Sequence, residues 1–228
     1  YFTQPAQSVA GSLEKNMITR RLWGMAATAA LALNLGLPAA VHAAEETPDA
    51  LVKRVSSDVL ETIKKDPALR GGDTAKVNAF VNDKVMPYVD FRRMTSAAVG
   101  PAWRQATPDQ RQKLQDEFKA LLIRTYAGAL SQVGDQTITV KPLRMAAGDT
   151  DVLVRTQVNG RGEPVQLDFR LEKQADGWKL YNFNVLGVWL VETYRNQFAQ
   201  EINANGVDGL IKTLASRSTM PANVGKAQ

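Results

Sequence analysis

The sequence predicts an α+β fold: a twisted, four-stranded antiparallel sheet with about six helices against it. Three observations carry this. Apolar residues recur with a helical period up to about residue 130. The period then falls to two through residue 185, and turn signals separate the alternating runs. A helical period returns after Gly187, so the order is helices, strands, helices rather than strict alternation.

Each element has its own signals. Thr47-Pro48 opens the first helix, with Leu51, Val52, Val55, Val59, Leu60 and Ile63 on one face. Asp66-Pro67 and Gly71-Gly72 end it. Asp73 caps a second helix bearing Val77, Phe80, Val81 and Val85, which Pro87 breaks. Asp90 caps a third through Phe91, Met94 and Ala98, stopped at Gly100-Pro101. Thr107-Pro108-Asp109-Gln110 is a capping box for a fourth, with Leu114, Phe118, Leu121, Leu122, Thr125, Tyr126 and Leu130 along it.

Thr137–Val140 reads as the first strand. Val152, Val154, Thr156 and Val158 mark the second, and Asn159–Gly162 the turn after it. Val165, Leu167, Phe169 and Leu171 alternate with Gln166, Asp168, Arg170 and Glu172 in the third, which places Asp168 toward water. Asp176-Gly177 turns into a fourth strand, Trp178–Val185, whose apolar phase changes and so predicts a bulge. Leu186-Gly187-Val188 leads into a fifth helix with Leu190, Val191, Tyr194 and Phe198. Gly206 breaks it before a last helix at Leu210, Ile211 and Leu214, and a polar tail runs over residues 217–228.

The N-terminal region reads as a targeting segment. Met17, Arg20-Arg21, the apolar run Leu22–Leu37 and Val41-His42-Ala43 form a charged region, an apolar core and a small-residue cleavage site. The run holds Asn34 and Gly36 and falls short of the roughly 20 residues that a membrane span needs. The sequence therefore predicts a signal peptide over residues 17–43, cleaved after Ala43, and a protein exported from the cytoplasm. Residues 1–16 show no period and read as an upstream remnant. Residues 44–216 read as one domain.

Composition excludes whole classes of chemistry. The chain has no Cys, and its one His is His42, just before the predicted cut. Past that cut, Ser-His-Asp and Cys-His nucleophiles are impossible, and zinc sites of the usual ligand types lack their ligands. Losing residues 1–43 removes three cations and one anion, so a formal charge of +5 becomes +3. That charge is too small to argue for nucleic acid. Carboxylates remain as acid–base candidates: Asp149 and Asp151 flank a turn, and Asp116-Glu117 lies on a polar helix side. These read as solvated. Arg92-Arg93 could hold an anion, and reads more simply as a solvated face. The aromatic residues beside the sheet serve either a filled core or the lining of a cleft, and periodicity does not separate the two.

Several strings occur in a characteristic order. They are Tyr88-Val89-Asp90-Phe91, Met94, Gly100-Pro101-Ala102-Trp103, Ala106–Gln110, Phe118 with Leu121-Leu122, and Thr125-Tyr126-Ala127. Trp178–Tyr181, Val185–Val188 and Tyr194–Phe198 follow. Together they resemble the MlaC family of periplasmic phospholipid-binding proteins, also called toluene-tolerance proteins, over roughly Thr47 to Leu214. Trp189 departs from the family, where a small polar residue is more usual.

The resemblance implies an NTF2-like, MlaC-like fold around an apolar cavity for acyl chains. It implies no enzyme, no metal and no organic cofactor. It implies a carrier that moves phospholipid between an outer-membrane lipoprotein–porin complex and an inner-membrane ABC transporter with a lipid-binding domain, so maintaining outer-membrane lipid asymmetry. The residues expected to line the cavity are Tyr88, Phe91, Met94, Trp103, Phe118, Leu122, Tyr126, Val154, Val158, Val165, Leu167, Phe169, Leu171, Phe183, Val185 and Val188. A small periplasmic α+β enzyme and a solid-core interaction module are the alternatives.

Overall fold

A computed structural model of the chain describes residues 45–219. The predicted signal peptide at 17–43, the segment before it and the end of the tail lie outside the described residues. The helical elements are α1 (Pro48–Lys65), α2 (Pro67–Arg70), α3 (Thr74–Phe80), α4 (Phe91–Val99), α5 (Ala102–Gln105), α6 (Pro108–Ala127) and α7 (Leu190–Thr219). The strands are β1 (Thr137–Val140), β2 (Asp151–Asn159), β3 (Val165–Gln174), β4 (Gly177–Val185) and β5 (Val188–Trp189).

The caps act as the sequence predicts. Asp73 accepts from Lys76 N and Asp90 from Arg93 N, each satisfying an orphan amide of a first turn. Thr107 and Gln110 form the reciprocal capping box of α6. Thr47 occupies the N-cap of α1 without a side-chain bond, so Pro48 at the first position carries that start.

The second helix differs from its prediction. It stops at Phe80 and continues as a π turn, Val81–Val85, then a 3-10 turn, Met86–Tyr88. Pro87 explains this, because its ring crowds the carbonyl four residues back and forces the preceding turn open. Gly206, at φ 70°, interrupts α7, so the two predicted C-terminal helices run on across a kink. The helix persists to Thr219, past the start of the predicted tail.

The sheet is an open antiparallel meander in the order β1-β2-β3-β4-β5. The fifth strand was not predicted: Leu186-Gly187 forms a hairpin tip, and Val188-Trp189 pairs back on β4 before α7 begins. Leu186 lies in the left-handed region, at φ 51°, to make that tip. The predicted bulge is present: Arg170 pairs with Asn182 and Leu171 with Leu180, leaving Tyr181 unpaired.

Behind the sheet, α4, α6 and α7 enclose a packed aromatic centre. Phe118 is fully buried, with ring centroids 5.0 Å from Tyr194, 5.1 Å from Phe198 and 5.7 Å from Phe91. A second cluster joins Leu51 and Val52 of α1 to Val152, Val154, Leu171 and Trp178. A third joins Ile63, Leu69, Val77, Ile123 and Ala127.

The outer face of the sheet is covered where the alternation in β3 predicts water. Asp168 is not solvated: it is 4% exposed, accepts from Thr156 N at 3.2 Å and takes Gln166 Nε2 at 2.5 Å. Asn182 and Asn184 are buried on the same face. The start of α7 reaches this face, where Val191 N donates to Asn182 Oδ1 and Asn182 Nδ2 to Glu192. A period-two pattern assigns a face but says nothing of what covers it.

Candidate functional site

Between the inner face of the sheet and the N-terminal helices lie two apolar chambers. The first is about 270 Å³, bounded by Leu51, Val52, Val55 and Leu60 of α1 and by Ile138, Val158 and Leu171 of the sheet. The second is about 460 Å³, bounded by Val77 and Phe80 of α3, Val81 of the π turn, Phe91 and Met94 of α4, Leu122 and Tyr126 of α6, and Phe183 of β4. Val59, Val85, Val89, Leu167, Phe169 and Leu180 border both, so the chambers share one apolar wall.

The reason for the space lies in side-chain length. On the helical side, α1, α3 and the π turn present the short β-branched Val55, Val59, Val77, Val81 and Val85. Across the chambers from them stand Leu167 and Phe169, which stay only half-buried on the apolar face of the central strand. Close-packed interiors rarely leave such gaps unless a ligand fills them. Tyr126 is 44% exposed, which marks the opening of the second chamber beside α6. Partial burial raises its phenol pKa.

Most of the predicted lining residues meet at these chambers. Tyr88, Val158, Leu167, Phe169 and Leu171 border the first; Phe91, Met94, Leu122, Tyr126 and Phe183 border the second, together with Leu167 and Phe169. Six border neither. Trp103 and Phe118 are buried in the aromatic centre, on the side of α4 and α6 turned toward α7. Val154 is buried against Leu51 and Val52, because the start of α1 lies directly on that part of β2. Val165 and Val185 sit on the chamber face but at the strand ends near the β4–β5 tip. Val188 is 60% exposed in β5. Sequence reasoning missed the α1 wall, Val55, Val59 and Leu60, although their stripe was plain; it gives no sign that this stripe faces empty space. Trp189 stays clear of both chambers, with Arg170 stacked 4.2 Å from its ring.

The candidate acid–base groups are committed elsewhere. Asp151 accepts from Tyr181 Oη at 2.8 and 2.9 Å and pairs with Arg93 at 3.2 Å. Arg93 also reaches Glu172 at 2.6 Å and stacks 3.5 Å from the Tyr181 ring centre, so it is not a free anion site. Burial first, then the bond to Asp151, pushes the Tyr181 phenol up to about 12. Asp149 accepts from Ala146 N, and Asp116 from Gln112. Among the described residues no group of His, Cys, Asp or Glu could hold a metal ion. No described helix is long and apolar enough to cross a membrane.

The comparisons with known proteins agree with this geometry. The family model described as MlaC protein matches residues 53–216. The toluene tolerance protein ttg2D of Pseudomonas putida is 29% identical over 175 residues, covering 75% of this chain and 80% of its own. The intermembrane phospholipid transport system binding protein MlaC of Haemophilus influenzae is 24% identical over 211 residues, covering 90% and 97%. A solved structure from Ralstonia solanacearum, a phospholipid-binding protein in complex with a phospholipid, is 54% identical. It superposes with a TM-score of 0.73 over 77% of this chain and 97% of that one. With the family model matched over residues 53–216 and its fold superposing on that solved structure, this chain belongs to the MlaC family.

Proposed function

We propose that this protein is a non-enzymatic carrier of a diacyl phospholipid across the periplasm. The observation that carries the reading is the pair of adjoining apolar chambers, with Leu167 and Phe169 in their shared wall. Two chambers meeting at one wall suit two acyl chains that diverge from one glycerol.

The energetics define what such a carrier must do. Two chains of about sixteen carbons expose roughly thirty methylenes, so moving the lipid from bilayer to water costs on the order of 20 kcal/mol. An apolar chamber removes most of that cost, and transfer between membrane and protein then runs near balance. No covalent step is needed. Directionality comes from the partners: an outer-membrane lipoprotein–porin complex on one side and an inner-membrane ABC transporter with a lipid-binding domain on the other. In this reading the protein serves outer-membrane lipid asymmetry.

The phospholipid complex of the relative from Ralstonia solanacearum supports the ligand class, and the transport name of the relative from Haemophilus influenzae supports the role. The segment over residues 17–43 supports export. Organic extraction of the purified protein, followed by mass spectrometry, tests the ligand. Stoichiometric diacyl phospholipid is the expected result; protein that yields none, and takes none up from vesicles, refutes the carrier.

A further inference from the structure

We propose that Lys119 recognises the phosphate of the bound lipid at the mouth of the second chamber; this rests on the phospholipid reading above. Among the described residues that line the two chambers, Lys119 alone carries a charge. It shares a face of α6 with Leu122 and Tyr126, one and two turns further on, and all three border the same chamber. The apolar stripe of the wall therefore ends in an ammonium, whose alkyl stem covers apolar surface while its head stays at the edge.

The Lys119 ammonium has a neutral hydrogen-bond partner. Its Nζ donates to Asn82 Oδ1 at 3.0 Å, joining α6 to the π turn. Asn82 is neutral, and an ammonium has three donors. Asp116 and Glu117 lie near it in sequence on α6 and Asp83 lies on the π turn, and none of them pairs with Lys119. Asp116 takes Gln112 at 3.1 and 3.2 Å, and Asp83 pairs with Lys84 at 3.0 Å. Among the described residues Lys119 forms no ion pair. A cation without a counter-charge, at the rim of an apolar space, is placed to receive an anion.

A phospholipid with its chains in the chambers must leave its phosphodiester at such a rim. A neutral lipid with the same chains would leave only a hydroxyl there. Lys119 thus distinguishes phosphate-bearing lipids from neutral ones while the chambers bind both by their tails.

The test offers the full chain vesicles that contain both phosphatidylglycerol and diacylglycerol with the same acyl chains. Bound lipid is then quantified by mass spectrometry. Wild type is expected to favour the phospholipid by about tenfold, the scale of one charge-assisted hydrogen bond at a partly wet site. Lys119→Met, which keeps the stem, should lose that preference through weaker phospholipid binding, while its diacylglycerol uptake persists. Lys119→Arg should retain it. A Lys119→Met protein with the wild-type preference overturns the proposal. Inorganic phosphate retained at Lys119 by a wild-type protein that shows no preference between the two lipids marks a free-phosphate site and also overturns it. Failure of every variant and of wild type to take up either lipid sinks the carrier reading itself, a result distinct from lost preference.

Discussion

Leu167 borders both chambers from the central strand, so its substitution separates a hollow interior from a filled one. In a packed core, Leu→Ala costs about 2–5 kcal/mol, from lost transfer energy plus the void left behind. Leu167 is only half-buried and already faces space. Three lost carbons at ~0.8 kcal/mol each, halved for that exposure, leave about 1 kcal/mol with no new void. Leu114, on α6 and fully buried in the aromatic centre, is the internal control and should show the full cost. Leu167→Trp runs the other way. At a packed site, overfilling costs ~1–3 kcal/mol or more. Here the indole enters a chamber of about 270 or 460 Å³, so the fold should hold while copurifying phospholipid falls. Urea unfolding followed by circular dichroism reads stability, and extraction with mass spectrometry reads lipid. The reasoning fails if Leu167→Ala costs as much as Leu114→Ala while Leu167→Trp unfolds.

Four further outcomes follow from the same geometry. A photo-crosslinking residue at Phe169 should capture phospholipid, whereas one at Arg170, on the opposite face, should not; equal yields would refute the assigned phase. Asp168→Ala leaves the Thr156 amide without its buried acceptor and should cost ~1–3 kcal/mol in urea unfolding, with lipid content per folded molecule unchanged. Tyr181 holds its proton more tightly when folded, its pKa raised from 10.0 to about 12, so its contribution to stability is complete below the unfolded value and lost as pH rises through the folded one. Tyr181→Phe should therefore show a shallower loss of stability than wild type across that window; identical slopes would exclude the linkage. Protein recovered from the periplasm should begin at Ala44, within a few residues, by N-terminal sequencing; an intact Met17 on a membrane-bound product would rule out cleavage.

Much of this protein is determined locally and is therefore legible in its sequence. The caps at Asp73, Asp90 and Thr107 are satisfied within a turn of themselves, so residue type and spacing suffice. The alternation in β3 selects Leu167 and Phe169 for one face whatever lies opposite, and the phase change in β4 reports the bulge at Tyr181. The absence of Cys removes thiol chemistry without reference to any fold. Other features depended on what each face meets. Val188-Trp189 is too short to show a period, and became a strand because β4 offered it an edge. Asp168 alternates like a solvated residue, yet lies buried on a face that carries Asn182, Asn184 and the start of α7. Phe118 and Phe169 are equally apolar and equally periodic. One is packed among Phe91, Tyr194 and Phe198; the other is half-buried and borders both chambers. Whether an apolar face closes on a partner or on a space depends on the reach of side chains from distant segments, and only the tertiary structure brings those segments together.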